Sequence, residues 1–229
     1  MSNKKSYVPP FPVDQPMTSR SIGKVLKSSN ADFKEGQLIA VMCNMSEYAV
    51  VPGDYLKQAQ VLDNPHDINI AHYLGALGMP GLTAYSSLYE IGKPKKGETI
   101  FVSAASGAVG QLVVQLAKHE GLNVIGSVGD DKKVEFLQKE LGIEKVFNYK
   151  KEATADALAR LAPDGLDIFY DNVGGQTLDD ALAAMNVFGR IGACSWSPVR
   201  VAYVSKGHAY SSTLYVAPQS SAGRSRNTT

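Results

Sequence analysis

The chain has 229 residues, of which 44% are hydrophobic and 20% charged, and its formal net charge is +1. This composition is typical of a globular protein with a sizeable core and more than one domain. Because 23 basic side chains are balanced by 22 acidic ones, the net charge does not favour a nucleic acid or an anionic membrane surface as a partner. No apolar run approaches the ~20 residues needed to span a bilayer.

The cysteine content and the first residues favour a cytoplasmic protein. Cys43 and Cys194 are too few for a disulfide framework or a four-thiolate zinc site. The amino-terminal residues lead into proline-rich sequence and lack the apolar segment of a secretory signal. We expect no bound metal, because the four histidines show no ligand spacing. They are His66, His72, His119 and His208.

Residues 1–75 have the pattern of small-barrel material but are few for a complete domain. Prolines interrupt residues 1–20, so we expect neither a regular helix nor a central strand there. Short strands are predicted at 23–26, 38–42 and 48–51. A turn is predicted at Glu35 and Gly36.

Residues 76–194 are predicted to form a second domain in which strands and helices alternate. Small and apolar residues at helical spacing predict a helix over 76–92, which ends at Gly92 shortly before Pro94. The elements predicted after it, beginning with a strand and alternating with helices, are 100–102, 108–119, 123–127, 131–140, 145–149, 152–161, 167–170, 176–186 and 190–193. This order is typical of βαβ units with right-handed crossovers. The predicted fold class is α/β, with a doubly wound parallel sheet of the Rossmann type.

Residues 195–229 form a tail of different character. No acidic residue follows Asp180, whereas four basic ones lie in the tail: Arg200, Lys206, Arg224 and Arg226. The tail has no clear periodicity and ends in Ser, Gly and Asn, so we expect it to be partly disordered. A nucleic-acid role, a distant alternative, rests on this basic tail alone.

The most informative motif is AASGAVG at 104–110, between an apolar strand and an amphipathic helix. Gly107 lets main-chain N–H groups approach a pyrophosphate, and Gly110 lets the helix pack closely on the strand. The helix N-terminus adds free N–H donors and a dipole that favours an anion. An alanine replaces the first glycine of the commoner fingerprint, so the alternative is a glycine-rich turn without a ligand. The flanking strands and helix favour dinucleotide binding.

The end of the second strand indicates which dinucleotide binds. An NAD site usually has an Asp or Glu there to accept from the ribose hydroxyls. Here the strand ends in uncharged residues, and Asp130 and Asp131 fall in the loop or first helical turn, where acids are ordinary N-caps. Lys132 or Lys133 is close enough to meet a 2′-phosphate, the alternative being an ordinary solvated lysine. The pattern favours NADP(H).

Five motifs in order resemble one protein family. They are GMPGLTAY at 78–85, VSAASGAVGQ at 102–111, FNY at 147–149, NVGG at 172–175 and GRI at 189–191, preceded by SYVPPF at 6–11, GKV at 23–25 and EY at 47–48. The sequence resembles the zinc-independent medium-chain dehydrogenases of the prostaglandin reductase and alkenal double-bond reductase type. The resemblance implies that a partial GroES-like barrel domain, residues 1–75, precedes the Rossmann domain.

The resemblance also implies an activity and a cofactor site. The activity is NADPH-dependent reduction of the carbon–carbon double bond of α,β-unsaturated aldehydes or ketones. The residues implied for the cofactor are Gly107, Ala108, Val109 and Gly110 at the pyrophosphate, Lys133 and Tyr149 at the 2′-phosphate, and Asn172 and Cys194 along the nucleotide cleft. Two alternatives stay open, Tyr149 as a strand-end core residue and Asn172 as a turn former. No proton donor is assigned, because Tyr210 and Tyr215 lie in the unmatched tail.

The sequence departs from the family pattern at both ends. Members of the family begin with a further β-rich stretch, and their sequence after the GRI strand does not match residues 195–229. We therefore expect a truncated chain in which the cofactor turn survives and the substrate pocket is incomplete. The alternative functions are a quinone reductase and a protein that binds nucleotide without turnover. The resemblance implies a homodimer that forms through the last Rossmann strands, which are among the strands that the truncation affects.

Overall fold

The computed structural model describes residues 14–194 of the chain. The chain divides into two compact units, Met1–Gly78 and Met79–Thr229. Predictions for the SYVPPF motif, for Tyr210 and Tyr215 and for the disorder of the tail lie outside the described residues. Within the described part, no helix is both long and apolar enough to cross a membrane.

The first unit contains a small antiparallel sheet. Its strands are β1 (Thr18–Lys24), β2 (Leu38–Asn44) and β3 (Gln60–Val61), hydrogen-bonded in that order. A one-turn helix, α1 (Gly53–Leu56), precedes β3, and a 3-10 turn spans Ile70–Tyr73. The buried centre of the unit consists of three aliphatic side chains: Val25, Ile39 and Val41.

The predictions for the first unit are confirmed in part. The strand at 38–42 and the turn at Gly36, whose φ is +88°, are confirmed. The sequence predicts no central strand within residues 1–20. Of the described residues 14–20, residues 18–20 lie in β1, which is an edge strand, so this prediction agrees with the structure. The strand predicted at 48–51 is wrong, because Tyr48 and Val50 are 72% and 95% exposed and no apolar face holds the segment in a sheet.

The second unit is an α/β domain with helices on both faces of one sheet. Its elements are α2 (Met79–Ser86), a π-helical turn (Ser87–Gly92), β4 (Thr99–Val102), α3 (Gly110–His119), β5 (Asn123–Val128), α4 (Asp131–Lys139), β6 (Lys145–Asn148), α5 (Thr154–Leu161), β7 (Leu166–Asp171), α6 (Gly175–Ala183) and β8 (Met185–Ala193). The strands are all parallel, in the order β6-β5-β4-β7-β8. The Rossmann fold class is therefore confirmed.

The two faces of this sheet carry separate cores. Ile100 and Val102 of β4 point to the face covered by α2, α3 and α4, whereas Phe101 points to the face covered by α5 and α6. Phe101 stacks on Phe169 of β7 and Phe147 of β6, with ring centroids 5.1 and 5.9 Å apart. Burial on both faces explains why the strands are nearly continuous apolar runs.

The direction of the crossovers reverses between β4 and β7. From β4 the chain moves outward to β5 and β6, and then returns to β7 on the other side of β4. The segments that leave these two strands diverge at their carboxyl ends, and doubly wound sheets bind ligands at such a point. The fold therefore places the turn at 104–110 and the segment after β7 at one candidate site.

The last predicted helix and strand have the wrong boundary. The sequence predicts a helix over 176–186, but α6 ends at Ala183 and β8 begins at Met185. Between Met185 and Arg190 the strand loses its register with β7, and Phe188, with φ +64°, is exposed. This bulge removes the alternation of buried and exposed residues by which a strand is recognised.

Arg190 of the GRI motif has a structural role at the opposite edge of the sheet. Its guanidinium donates to both carboxylate oxygens of Glu98, at 2.9 and 2.5 Å. It also donates to the carbonyls of Gly92, Lys93 and Asp167, at 2.9, 3.1 and 3.3 Å. Arg190 therefore joins β8 to the end of the π-helical turn and to the segment before β4.

Candidate nucleotide-binding site

The chain leaves β4 through a tight turn with an open outer side. Ala104 has a left-handed backbone, φ +48°, and its carbonyl accepts the Gly107 N–H at 2.9 Å. The Ala105 N–H donates to the carbonyl of Ser127 in β5 at 3.0 Å. Gly107 and Ala108 are exposed. The turn is thus fixed on its inner side and accessible from outside.

The two glycines of the turn differ in the space around them. A Cβ at Gly110 would lie 2.4 Å from the Ala104 carbonyl oxygen and 2.9 Å from the Ala105 Cα. Only glycine fits there, and the close packing predicted for Gly110 is confirmed. At Gly107 a Cβ would lie 3.1 Å from the Ala104 oxygen, which is tight but not prohibitive.

Free backbone donors line the start of α3. Within residues 14–194, no carbonyl accepts from the N–H groups of Ala108 and Val109. The Gln111 N–H, two residues after Val109, donates to the Gly107 carbonyl at 3.0 Å, and no side chain caps the helix at Val109. Free N–H groups at the positive end of a helix dipole form a site for an anion.

Ala105, in the turn after β4, stands where the fingerprint has its first glycine, and Gly126 on the neighbouring strand β5 makes room for it. The Ala105 side chain is fully buried, and a Cβ at Gly126 in β5 would lie 2.9 Å from the Ala105 Cβ. Gly126 therefore provides the room that the Ala105 methyl needs. The sequence analysis missed this pairing, although a glycine inside a strand is a signal of close approach.

Asp171 organises the carboxyl end of β7. Its buried carboxylate accepts from the N–H groups of Val173 and Gly174, at 2.9 and 2.8 Å, and from Ser103 Oγ at 3.2 Å. The Asn172 N–H donates to Ser103 Oγ at 2.8 Å, and Asn172 Nδ2 donates to the Ser103 carbonyl at 2.7 Å. These hydrogen bonds hold the carboxyl end of β4 beside the carboxyl end of β7.

Asn172 was predicted from the sequence, whereas Ser103 and Asp171 were not. Ser103 directly follows β4 and Asp171 is the last residue of β7, so a polar residue at the end of an apolar strand is the available sequence signal. Asn172 directly follows β7, and its amide nitrogen donates to the Ser103 carbonyl, which agrees with the alternative of a turn former. Its Oδ1 has no hydrogen-bond partner in the part of the chain that the structure describes.

Cys194 lies beside the same edge, in a buried polar network. Its N–H donates to the Asp171 carbonyl at 2.7 Å. Burial raises the pKa of the Cys194 thiol, although a hydrogen bond with Tyr170 lowers it. The Ser87 hydroxyl donates to the Thr83 carbonyl, and the Tyr170 hydroxyl lies 2.6 Å from Ser87 Oγ, within hydrogen-bond distance. Cys194 is thus a protonated thiol and not an activated nucleophile.

Both acidic residues after β5 have partners. Asp130 caps α4 by accepting the Lys132 N–H at 2.8 Å, which confirms its predicted capping role. The Asp131 carboxylate accepts from Asn148 Nδ2 at 2.8 Å and forms an ion pair with Lys151. The hydrogen bond from Lys151, followed by that from Asn148, lowers the pKa of Asp131. An NAD site requires a carboxylate that is free to accept hydrogen bonds from the ribose hydroxyls, and both of these carboxylates already have partners.

Lys133 and Tyr149 lie near the ends of neighbouring strands. Lys133, in the first turn of α4, is exposed and forms no ion pair within residues 14–194. The Tyr149 N–H donates to the Val128 carbonyl at 3.0 Å, and a Cβ at Gly129 would lie 2.7 Å from Tyr149 Oη. The ring therefore covers Gly129 at the end of β5. With 49% exposure, Tyr149 is not a core residue.

The part of the chain that the structure describes contains no cluster of metal-ligand side chains. No group of three or more His, Cys, Asp or Glu side chains in residues 14–194 could hold a metal ion. A shallow groove of about 650 Å³ lies between α5 and α6, but it includes none of the predicted site residues.

Free donors at the switch point of a doubly wound parallel sheet define a dinucleotide-binding domain of the Rossmann class. Two family models match the chain: "Zinc-binding dehydrogenase" over residues 108–212 and "N-terminal domain of oxidoreductase" over residues 1–59. The chain belongs to the medium-chain dehydrogenase/reductases, in the zinc-independent group of alkenal reductase type.

Individual relatives are similar to this chain over most of its length. NADP-dependent oxidoreductase RED1 of Cochliobolus heterostrophus is 56% identical over 186 residues, 81% of this chain and 53% of that protein. The 2-alkenal reductase (NADP(+)-dependent) of Nicotiana tabacum is 45% identical over 192 residues, 82% of this chain and 54% of that protein.

A solved structure shows the same fold. CurA from Vibrio vulnificus in complex with NADPH matches with a TM-score of 0.77 at 34% identity, over 85% of this chain and 56% of that one. The chain spans about half the length of the curated relatives it matches.

Proposed function

We propose that the second unit binds NADP(H), with the pyrophosphate on the turn at 104–110. One observation supports this most directly: within the described residues, the N–H groups of Ala108 and Val109 have no hydrogen-bond acceptor. They lie beside Gly110, where only a glycine lets α3 pack against the turn. In this proposal Gly107, Ala108, Val109 and Gly110 form the cradle. The NADP-dependent relatives and the NADPH complex of CurA support the same cofactor.

The charges after β5 support the phosphorylated dinucleotide. We propose that Lys133 binds the 2′-phosphate, with the Tyr149 ring beside it. Lys133 has no carboxylate partner in the described chain, while Asp130 and Asp131 are both engaged. A free cation and two occupied acids favour a phosphate over a ribose hydroxyl.

Asn172 and Cys194 are proposed to line the nucleotide cleft. Both lie at the carboxyl edge of the sheet, fixed by Ser103 and by the Asp171 carbonyl. Asn172 offers a carbonyl oxygen without a hydrogen-bond partner in the described part. Cys194 offers a neutral side chain, because burial raises its pKa.

We propose that the reaction is reduction of the carbon–carbon double bond of an α,β-unsaturated aldehyde or ketone, as the name of the 2-alkenal reductase suggests. NADPH supplies a hydride when bound, and a proton completes the saturated product. The role of the described residues is to hold and orient the dinucleotide. No catalytic residue is assigned among them.

The reaction is tested by incubating the purified chain with NADPH and hexenal, with saturated hexanal as the matched control. We expect the absorbance of NADPH to fall with hexenal only, and mass spectrometry to show hexanal as the product. Oxidation of NADPH by benzoquinone alone would favour the quinone reductase. Nucleotide binding without turnover of either substrate would favour the binding-only alternative.

We propose the cytoplasm as the location and a homodimer as the assembly. The two cysteines, both free, support a reducing compartment. Val187 and Phe188 of β8 are 76% and 78% exposed, which supports a contact between copies at that strand. We propose a small-molecule enal or enone as the partner, as the name of the 2-alkenal reductase suggests, and the near-zero net charge gives no electrostatic basis for a nucleic acid or an anionic membrane.

A further inference from the structure

Asp131 carries a charge of the wrong sign for the ligand proposed above. It is the first residue of α4, two positions before Lys133. A free carboxylate close to the end of the second strand suits a ribose hydroxyl and repels a 2′-phosphate. The chain therefore needs a means of removing the effect of this charge if the site is to prefer NADP(H).

The segment after β6 supplies a matching cation. Asn148 forms a turn in which its Oδ1 accepts the Lys150 N–H at 3.1 Å and its carbonyl accepts the Lys151 N–H at 2.9 Å. The Asn148 side chain donates to Asp131 Oδ1 at 2.8 Å, and Lys151 Nζ pairs with Asp131 Oδ2. Two groups from one turn thus occupy both oxygens of Asp131.

We propose that Lys151, positioned by the Asn148 turn, determines cofactor specificity by neutralising Asp131. The first turn of α4 then presents the unpaired ammonium group of Lys133 to the 2′-phosphate. The inference rests on the NADP(H) binding proposed above. It assigns a role to Asn148, the middle residue of the FNY motif, and to Lys151, neither of which contacts the nucleotide in this proposal.

The effect is moderate because the ion pair is exposed. The side chains of Lys151 and Asp131 are 68% and 60% accessible, so water and salt screen their charges. We expect Lys151→Met to raise the Kd for NADPH about three- to tenfold and not to raise the Kd for NADH, since a freed Asp131 carboxylate suits a ribose hydroxyl.

The experiment measures both constants by fluorescence titration for three variants. In the double variant Asp131→Asn with Lys151→Met, no uncompensated charge is left, and we expect NADPH affinity to return to the wild-type value. Lys139→Met is the matched control, because Lys139 pairs with Glu135 near the other end of α4. It is expected to change neither constant. Melting temperatures of all variants show whether each is folded.

The outcomes separate this inference from the proposed function. If wild-type protein binds NADPH no better than NADH, both are overturned. If it prefers NADPH and Lys151→Met keeps that preference, this inference alone is overturned. If Lys151→Met weakens NADPH binding and the double variant is not restored, Lys151 acts on the ligand directly and the role assigned through Asp131 is wrong.

Discussion

Gly110 is the residue at which the site depends most on the absence of a side chain. A Cβ there would lie 2.4 Å from the Ala104 carbonyl oxygen, so Gly110→Ala forces α3 away from the turn. We expect the free energy of unfolding to fall by about 2–4 kcal/mol and NADPH binding to be lost. Urea denaturation and nucleotide titration measure the two effects.

Gly23 provides the matched control for this substitution. No atom lies within 4 Å of a Cβ built on Gly23, and its φ is outside the left-handed range. Gly23→Ala is expected to change stability by no more than about 0.5 kcal/mol. A Gly110→Ala variant as stable as the Gly23→Ala variant would contradict the close packing described for the turn.

At this scale, local spacing predicted only part of the site. Gly107, Gly110 and the capping role of Asp130 follow from residues close together in the chain. Ser103 and Asp171 were missed because their function is to bond one another across the sheet, between residues 68 positions apart. Gly126 was missed for a similar reason, since its partner Ala105 lies on the turn after the neighbouring strand.

At the scale of elements, Arg190 holds β8 to the segment before β4. Replacing it with methionine removes the guanidinium donor from Glu98 and from three carbonyls, in a site where the arginine and glutamate side chains are 25% and 17% accessible. We expect Arg190→Met to lower the free energy of unfolding by about 2–4 kcal/mol, measured in urea.

An exposed pair of the same type serves as the control for Arg190. Arg160 and Glu152 also form a two-pronged ion pair, but the arginine is 57% accessible. Arg160→Met is expected to cost less than about 1 kcal/mol. Equal losses in the two variants would show that the burial of the Arg190 pair is not what matters.

The network between the π-helical turn, β7 and the end of β8 makes stability depend on alkaline pH. Burial is the first cause of the raised pKa of both Tyr170 and Cys194, whose ordinary values are 10.0 and 9.0. A raised pKa in the folded state stabilises the protein below the ordinary value, and that contribution is lost as pH rises towards the folded value. We therefore expect the free energy of unfolding to decline from about pH 9 upwards.

Urea denaturation at a series of pH values checks this dependence. Tyr170→Phe removes one of the two titrating groups, so its decline above about pH 9 is expected to be shallower than that of the wild type. Identical slopes in wild type and Tyr170→Phe would contradict the contribution assigned to Tyr170.

Element boundaries were predicted well where burial is regular and poorly where it is not. The strands at 100–102 and 123–127 were correct to within a residue, because each is buried on both faces. The helix at 176–186 was extended over the first residues of β8, where the bulge exposes Val187 and Phe188. The 48–51 segment has strand-forming residues, but Tyr48 and Val50 are exposed and only Val51 packs against the buried cluster of the first unit.

At the scale of the whole molecule, the α/β order of elements predicted the Rossmann class because each βαβ unit admits essentially one crossover hand. The cofactor site then follows from the strand order, which puts the ends of β4 and β7 side by side. The sequence could not give the ion pair between Asp131 and Lys151, because it joins side chains that meet only after the sheet has formed.

The most direct test of the account is a fluorescence titration of the purified chain with NADPH and with NADH. We expect saturable binding with a clear preference for NADPH, and a loss of that preference, of about tenfold, in Lys133→Ala. Lys132→Ala is the control, since its side chain is the neighbouring cation that is not assigned to the phosphate. Equal affinity for the two nucleotides, or the same loss in Lys132→Ala, would contradict the NADP(H) site proposed at the end of β5.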